Sequence, residues 1–215
     1  MSKVFAFLAD GLEEVECLAV VDVLRRAGAE VTLVSVTGSR EITGSHHIHF
    51  QADALFDETA AEEADVLFLP GGMPGTNTLK AHEGLKNAIC KANKQGRRIA
   101  AICAAPSVFS GLGFLKDKKA TSYPSFMEVI AKDGAQTSED SVVTDGNITT
   151  SHSKRTWICL RSGDRTDPSA DGTSACTDGK GFHPVRPGIR NIDYHIKISN
   201  RSKKDCTDKK CGLFF

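Results

Sequence analysis

The residue of this sequence best suited to chemistry is Cys103, which ends a short apolar run. Arg98–Ile102 predicts a strand buried on both faces of a parallel sheet, and small residues then lead into a helix beginning near Pro106 and Ser107. Such a turn from strand to helix exposes the nucleophile of many α/β enzymes, and a helix N-terminus favours the thiolate. The pattern is also typical of a small core residue, because free cysteines are often buried.

Two further elements carry groups that a reactive thiol would need. Gly71 and Gly72 follow the predicted strand Asp65–Leu69, and glycines there let backbone amides approach a developing oxyanion. An ordinary strand-to-helix turn is the alternative. Glu16 lies in the first turn of a predicted helix, where its carboxyl could share a proton with a nearby thiol. Taken alone, Glu16 is more typical of a solvated acid at a helix terminus.

Two other glutamates and two other cysteines are assigned no catalytic role. Glu13 and Glu14 fit the role of solvated helix-terminal acids better than Glu16 does. Cys17 and Cys90 lie on predicted helices, and we interpret both as packing residues.

The predicted elements alternate between strands and helices, which favours a doubly wound α/β sandwich with a mostly parallel sheet. Ligands of such sheets bind beyond the carboxyl ends of the strands. The turn that leads to Glu16, the Gly71-Gly72 loop and Cys103 all lie at such ends.

The predicted strands are Lys3–Leu8, Glu30–Ser35, Asp65–Leu69, Arg98–Ile102 and Lys119–Ser122, with hairpins at Glu41–Asp53 and around Asp145-Gly146-Asn147. The predicted helices are Glu13–Ala27, Ala60–Glu63, Glu83–Asn93, Ser107–Leu115 and Ser125–Lys132.

Composition separates the chain into two parts. The 215 residues have a formal net charge of +0, which gives no reason to expect a nucleic acid or a membrane as partner. Residues 1–151 carry a net charge of −6, whereas 13 basic residues against 7 aspartates give residues 152–215 a net charge of +6. We therefore predict an α/β domain over 1–151 and a basic, disordered tail over 152–215.

An apolar start too short for a signal peptide, with seven cysteines in no regular framework, predicts a cytoplasmic protein.

Three motifs of the α/β part resemble the ThiJ/PfpI family, in particular the branch of the Parkinson-disease protein deglycase and its bacterial relatives. The motifs are Ala9-Asp-Gly-Leu-Glu-Glu-Val-Glu16, Leu69-Pro-Gly-Gly-Met-Pro-Gly75 and Ala100-Ala-Ile-Cys-Ala-Ala-Pro106. The resemblance covers residues 1–151 and implies a flavodoxin-like sandwich, usually a homodimer, that needs no cofactor. Members are credited with glyoxalase III-type conversion of methylglyoxal to lactate, with deglycation of proteins or nucleotides, and with redox-sensing and chaperone roles.

The resemblance also implies a role for each motif residue. The nucleophile falls on Cys103, the proton-sharing carboxyl on Glu16, and the oxyanion amides on Gly72 and Ala104, with Gly71 beside them. The implied substrate is a small 2-oxoaldehyde or a glycated molecule. A non-catalytic redox sensor or holdase chaperone that uses oxidation of Cys103 is the alternative function.

The sequence departs from the family pattern at two places near this site. Tyr123 stands where many relatives have a histidine before proline, so the proton transfer is left to Glu16. His46 stands where a relative has an arginine, and we treat His46 and Tyr123 as candidate substrate-pocket residues. The sequence has a cluster of three histidines with alternating geometry, at His46, His47 and His49. This cluster has no nearby partner, so no metal site is predicted.

The tail departs from the family entirely. In relatives, the strand matching Ile148–Ser151 runs into a Gly-Pro-Gly motif and a long helix that covers the sheet. Back-translation of Arg155–Asp167, read one nucleotide later, can give a sequence similar to the start of that helix. We therefore hypothesise that residues from about His152 are a frameshifted translation; a genuine accessory tail is the alternative, and its cysteine spacing fits no familiar zinc pairing. Sequencing the gene across the Ser151 codon distinguishes these two alternatives, because an unbroken reading frame there would exclude the frameshift.

Overall fold

Strand β1 (Lys3–Leu8) lies inside the main sheet because both of its faces are apolar. Val4, Ala6 and Leu8 are buried in one core cluster and Phe7 in another, as expected when successive side chains of a strand point to opposite faces. The structure, a computed structural model, describes residues 1–57 and 61–152.

Eleven strands and five helices are present in these ranges. The other strands are β2 (Glu30–Ser35), β3 (Glu41–Thr43), β4 (His49–Gln51), β5 (Ala54–Leu55), β6 (Val66–Leu69), β7 (Arg98–Ile102), β8 (Lys119–Ala120), β9 (Gln136–Thr137), β10 (Val142–Asp145) and β11 (Ile148–Ser151). The helices are α1 (Glu14–Arg26), α2 (Gly75–Ala81), α3 (Glu83–Lys94), α4 (Pro106–Gly111) and α5 (Pro124–Lys132).

The main sheet has seven strands in the order β10-β11-β7-β6-β1-β2-β5. All neighbouring pairs are parallel except β10 with β11. Strands β3 and β4 form a separate antiparallel hairpin, and β8 and β9 form a short parallel pair. Because β1, β6 and β7 are parallel neighbours, the chain leaves all three at one edge of the sheet. The connections after these strands are therefore brought together there.

The two core clusters show how helices cover the sheet. On α1, Cys17, Val21 and Leu24 recur at helical spacing and pack in the cluster that contains Val4 and Leu8. The other cluster takes apolar side chains from α2, α3, α4 and α5, such as Leu79, Ile89, Phe109 and Ile130. This arrangement confirms the predicted α/β sandwich with a mostly parallel sheet.

Most predicted elements are confirmed within a few residues, and the differences have local causes. The predicted helix Ser107–Leu115 ends earlier, at Gly111, and Gly113 adopts a left-handed φ of 76° that does not continue a helix. Helix α2 was not predicted because its sequence, GTNTLKA, has no apolar period. Of the predicted helix Ala60–Glu63, only Ala60 lies outside the described residues; Ala61 is helical, and Glu62 and Glu63 form a turn. The predicted tail lies outside the described residues except for His152. No helix in the described ranges has the length and apolar composition that crossing a membrane requires.

Burial gives Cys17 an effect on stability at alkaline pH. Its side chain is 0% exposed, and this burial, together with the charge of Glu13, raises the pKa of the Cys17 thiol from 9.0 to about 12. Above pH 9 the unfolded chain loses this proton while the folded chain keeps it. The contribution is therefore complete below pH 9 and is lost as pH rises toward 12, by about 1.4 kcal/mol per pH unit.

We expect the free energy of unfolding to fall between pH 8 and pH 10 by about 1.4 kcal/mol more in the wild type than in Cys17→Ala. Urea unfolding at the two pH values measures the difference, and all other titrating groups cancel in the comparison. Parallel pH dependences in the two proteins would contradict this prediction.

Candidate active site

Cys103 occupies a left-handed backbone conformation at the end of β7. Its φ is 62°, which is uncommon for a residue other than glycine and is maintained only when the surroundings enforce it. The residue is half-buried, and α4 begins three residues later, at Pro106. This is the strand-to-helix turn that the sequence predicted around the thiol.

Hydrogen bonds fix the backbone of Cys103 on both sides. Its N–H donates to the Ser151 carbonyl at 2.9 Å. Its carbonyl accepts from the Ser122 hydroxyl at 2.6 Å and from the Tyr123 N–H at 2.8 Å. Ser122 is 1% exposed, so its hydroxyl is held away from water. The strained conformation is therefore stabilised by β11 and by the segment that precedes α5.

The side chains of Cys103 and Glu16 border one small space beside Gly71. A Cβ atom placed on Gly71 would lie 2.5 Å from Cys103 Cβ, 2.5 Å from Glu16 Oε2 and 2.9 Å from the Ile102 carbonyl oxygen. Each of these separations is shorter than real Cβ contacts allow. Only glycine therefore lets the loop after β6 pass this close to both the thiol and the carboxylate. The structure thus brings together three of the residues that the sequence singled out.

The N-terminal turn of α1 positions the Glu16 carboxylate. Glu13 caps the helix, because its Oε2 accepts from the Glu16 N–H at 2.8 Å. The Glu13 N–H in turn donates to the Gly71 carbonyl at 3.0 Å, which ties the helix start to the glycine loop. Glu16 is 8% exposed, so the expectation for an isolated helix-terminal acid, that it is solvated, does not hold for this residue.

Two backbone amides adjoin this space. Gly72 has a φ of 93°, and a Cβ there would collide with the backbone of Leu12 and Glu13. Ala104 follows the thiol directly and is 2% exposed. Among the described residues, no backbone carbonyl accepts the N–H of Gly72 or of Ala104. The two amides belong to the residues that directly follow Gly71 and Cys103, so both lie beside the thiol.

His46 lies close to Glu13 and Glu14. This contact corrects two predictions, that Glu14 is a solvated acid and that His46 has no nearby partner. The Glu14 carboxylate is 2% exposed and not solvated. It accepts from the His46 N–H at 2.7 Å, and it lies 2.9 Å from His46 Nδ1. The predicted absence of a partner for His46 was wrong because its partners are 32 residues distant in sequence. Burial raises the pKa of the Glu14 carboxyl, but hydrogen bonds from the His46 side chain and the backbone outweigh it and lower this pKa to about 2.

The other residues that the sequence singled out lie in different environments. Tyr123 reaches Cys103 through its backbone N–H, and its side chain is half-buried. Cys17 is a core residue as predicted, and Cys90 is half-buried on α3. Sequence reasoning missed Ser122 and Ser151, which hold the Cys103 backbone. No local sequence signal identifies either serine, because both contacts join segments that are distant in sequence.

Comparison with known proteins identifies a family and several relatives of this chain. The signature of the DJ-1/PfpI family matches residues 2–161. DJ-1 homolog A of Arabidopsis thaliana is 42% identical over 152 residues, which are 70% of this chain and 39% of the relative. Dj-1beta of Drosophila melanogaster is 36% identical over 152 residues, 70% of this chain and 81% of the relative. Deglycase PH1704 of Pyrococcus horikoshii is 32% identical over 145 residues, 67% of this chain and 86% of the relative.

The chain therefore spans well under half the length of the Arabidopsis thaliana relatives, of which it covers 39% and 36%. Among solved structures, oxidized DJ-1 of Toxoplasma gondii aligns with a TM-score of 0.66 and 35% identity over 71% of this chain and 83% of that chain. Drosophila melanogaster DJ-1beta aligns with a TM-score of 0.67 and 35% identity, over the same 71% and 83%. These similarities confirm the fold and the resemblance that the three motifs predicted.

Proposed function

Because the chain belongs to the DJ-1/PfpI family, we propose that it is a cysteine-dependent glyoxalase III- or deglycase-type enzyme acting on methylglyoxal or on its adducts with proteins or nucleotides. The observation that carries the proposal is the convergence of the Cys103 thiol, the Glu16 carboxylate and the Gly71 loop on one space. Relatives whose names include deglycase support enzymatic activity within the family. The activity is assigned to residues 1–151, and residues 152–215 are proposed to be a separate tail.

The first step is addition of the Cys103 thiolate to the aldehyde carbon of the 2-oxoaldehyde. A carbon–sulfur bond forms and the carbonyl π electrons move to oxygen. The amides of Gly72 and Ala104 stabilise this oxyanion, an effect of about 3–4 kcal/mol for one donor in a well-studied protease. Protonation of the oxygen gives a hemithioacetal.

Glu16 then moves a proton between the two substrate carbons. Its carboxylate removes the hydrogen from the former aldehyde carbon, giving an enediol, and returns a proton to the neighbouring carbon. The former aldehyde carbon is thereby oxidised to a thioester, and the former ketone carbon is reduced to an alcohol. Water hydrolyses the thioester, releasing lactate and restoring the thiol. Because the oxidation and the reduction occur within one substrate, no external oxidant or reductant is consumed.

The proposal is tested by assaying D-lactate formation from methylglyoxal with the full chain and with Glu16→Gln. Glutamine keeps the size of the side chain but cannot take up the proton, so we expect kcat to fall by about 100-fold or more, in the range typical of lost general acid–base catalysis. Glu128→Gln is the matched control, because Glu128 is an exposed acid on α5, and its rate should equal that of the wild type. An equal rate for Glu16→Gln would contradict the role of Glu16.

A redox-sensing stress protein or holdase is the second candidate, favoured by the half-buried, not fully buried, thiol of Cys103. A thiol accessible to peroxide can be oxidised to a sulfinate. Absence of D-lactate formation by the wild type, combined with preferential peroxide oxidation of Cys103, would favour the sensor over the enzyme.

We also propose that the protein is a cytoplasmic homodimer, as the family resemblance implies. Val15 and Leu18 lie on α1 near Glu16 and are 51% and 37% exposed. Large apolar side chains at the surface of one helix support a contact with another chain.

A further inference from the structure

Two carboxylates and an imidazole from separate elements meet beside the thiol site. Glu13 and Glu14 belong to the start of α1, and His46 belongs to the turn between β3 and β4. One ligand atom of each side chain lies within 4.8 Å of the other two. We propose that Glu13, Glu14 and His46 bind a divalent transition metal of the zinc type, which would join the hairpin to α1.

The two carboxylates are oriented alike. Glu13 Oε2 accepts from the Glu16 N–H at 2.8 Å, and Glu14 Oε1 accepts from the His46 N–H at 2.7 Å. The other oxygen of each carboxylate is directed toward the imidazole, so that His46 Nδ1 is 3.9 Å from Glu13 Oε1 and 2.9 Å from Glu14 Oε2. Backbone donors thus fix both carboxylates from outside, as outer-shell hydrogen bonds do in metal sites.

These separations fit a metal with little movement. Zinc–nitrogen and zinc–oxygen bonds of about 2.0–2.2 Å place tetrahedral ligand atoms roughly 3.4 Å apart. The observed 2.9 and 3.9 Å lie on either side of that value, each about 0.5 Å from it, and the ligand atoms of the two carboxylates lie within 4.8 Å of each other. Imidazole and carboxylate are ordinary zinc ligands, and three protein ligands leave a fourth position for water.

The site is built into the fold and is not a cluster of surface acids. Glu14 is 2% exposed, and a Cβ on Gly44 would overlap its carboxyl group, so the turn is shaped around this side chain. Two backbone bonds hold the turn against the start of α1, from Ser45 N–H to the Leu12 carbonyl and from Gly11 N–H to the Thr43 carbonyl, each 2.8 Å. The ligands therefore come from elements whose relative position is already fixed.

A Co²⁺ titration tests the proposal, with Co²⁺ replacing zinc because its visible absorption reports the ligand geometry. The full chain is first treated with iodoacetamide, so that accessible thiols cannot compete for the ion. Wild type, His46→Ala and Glu13→Gln are compared; glutamine keeps an acceptor for the Glu16 N–H but removes the charge. His47→Asn is the matched control, because His47 is exposed and has a φ of 62°, which asparagine tolerates.

We expect wild type and His47→Asn to bind one Co²⁺ that His46→Ala and Glu13→Gln bind at least about 100-fold more weakly, since loss of an outer-shell partner alone costs 10- to 100-fold. Zn²⁺ should also raise the Tm of wild type and His47→Asn but not of the other two. Equal Co²⁺ binding by all four proteins would overturn the proposal and leave His46 and Glu14 as an ion pair only. Because Cys103 is alkylated throughout, this outcome is independent of whether the proposed thiol chemistry occurs.

Discussion

Replacement of Gly71 by alanine is expected to lower kcat/KM for the conversion of methylglyoxal to lactate by at least about 100-fold, the cost of a misplacement near 1 Å. The new Cβ would lie 2.5 Å from both Cys103 Cβ and Glu16 Oε2, so the loop, the thiol and the carboxylate cannot all keep their positions. Gly71 does not have a positive φ, so alanine is compatible with its backbone conformation. The effect should therefore arise from displacement of the thiol, the carboxylate or the loop that carries the Gly72 amide.

Gly111→Ala is the matched control for this substitution. Its new Cβ would meet only the flexible end of Lys80, at 3.3 Å and 3.6 Å, and Gly111 likewise has no positive φ. We expect this variant to keep the wild-type rate. Circular dichroism establishes that Gly71→Ala is folded before its rate is measured. A folded Gly71→Ala protein with wild-type kcat/KM would show that Cys103, Glu16 and the loop do not form one site.

The site elements that sequence could predict are those fixed by local pattern. Lys3–Leu8 and Arg98–Ile102 were predicted with their observed bounds, because apolar runs of this length fit a strand and are too short for a typical buried helix. Parallel connection of such strands places their carboxyl ends together, so the proximity of Cys103, Gly71 and Glu16 follows from topology. The particular roles of Glu16 and Gly72 came from the family resemblance, since an acid at a helix start and a pair of glycines are each common without function.

The parts that could not be predicted depend on contacts between distant segments. Glu14 has the composition of a solvated acid at a helix start, yet the turn containing His46 folds over it and buries it. The Ser122 hydroxyl bonds to the Cys103 carbonyl only because the segment before α5 returns to the end of β7. Neither contact leaves a pattern in the local sequence, because register and loop path are set by packing of the whole sheet.

Cys103→Ser is expected to have the largest effect of any single substitution. A serine hydroxyl ionises far less readily than a thiol, and a carboxylate such as Glu16 is too weak a base to activate it, so addition to the aldehyde carbon should stop. Loss of the nucleophile in comparable enzymes lowers kcat by about 10⁴-fold or more. Serine is nearly the size of cysteine, and the backbone bonds from Ser122, Tyr123 and Ser151 do not depend on the side chain at position 103. The fold should therefore be kept.

The initial rate of D-lactate formation from methylglyoxal, compared between wild type and Cys103→Ser at equal concentrations of folded protein, tests the assignment of Cys103 most directly. Cys90→Ser serves as the control, because Cys90 is a half-buried thiol on α3 that the proposed mechanism does not use. We predict that Cys90→Ser retains the wild-type rate and that Cys103→Ser forms D-lactate at least about 10⁴-fold more slowly than wild type. A Cys103→Ser protein that forms D-lactate as fast as wild type would contradict the assignment of Cys103 as the nucleophile.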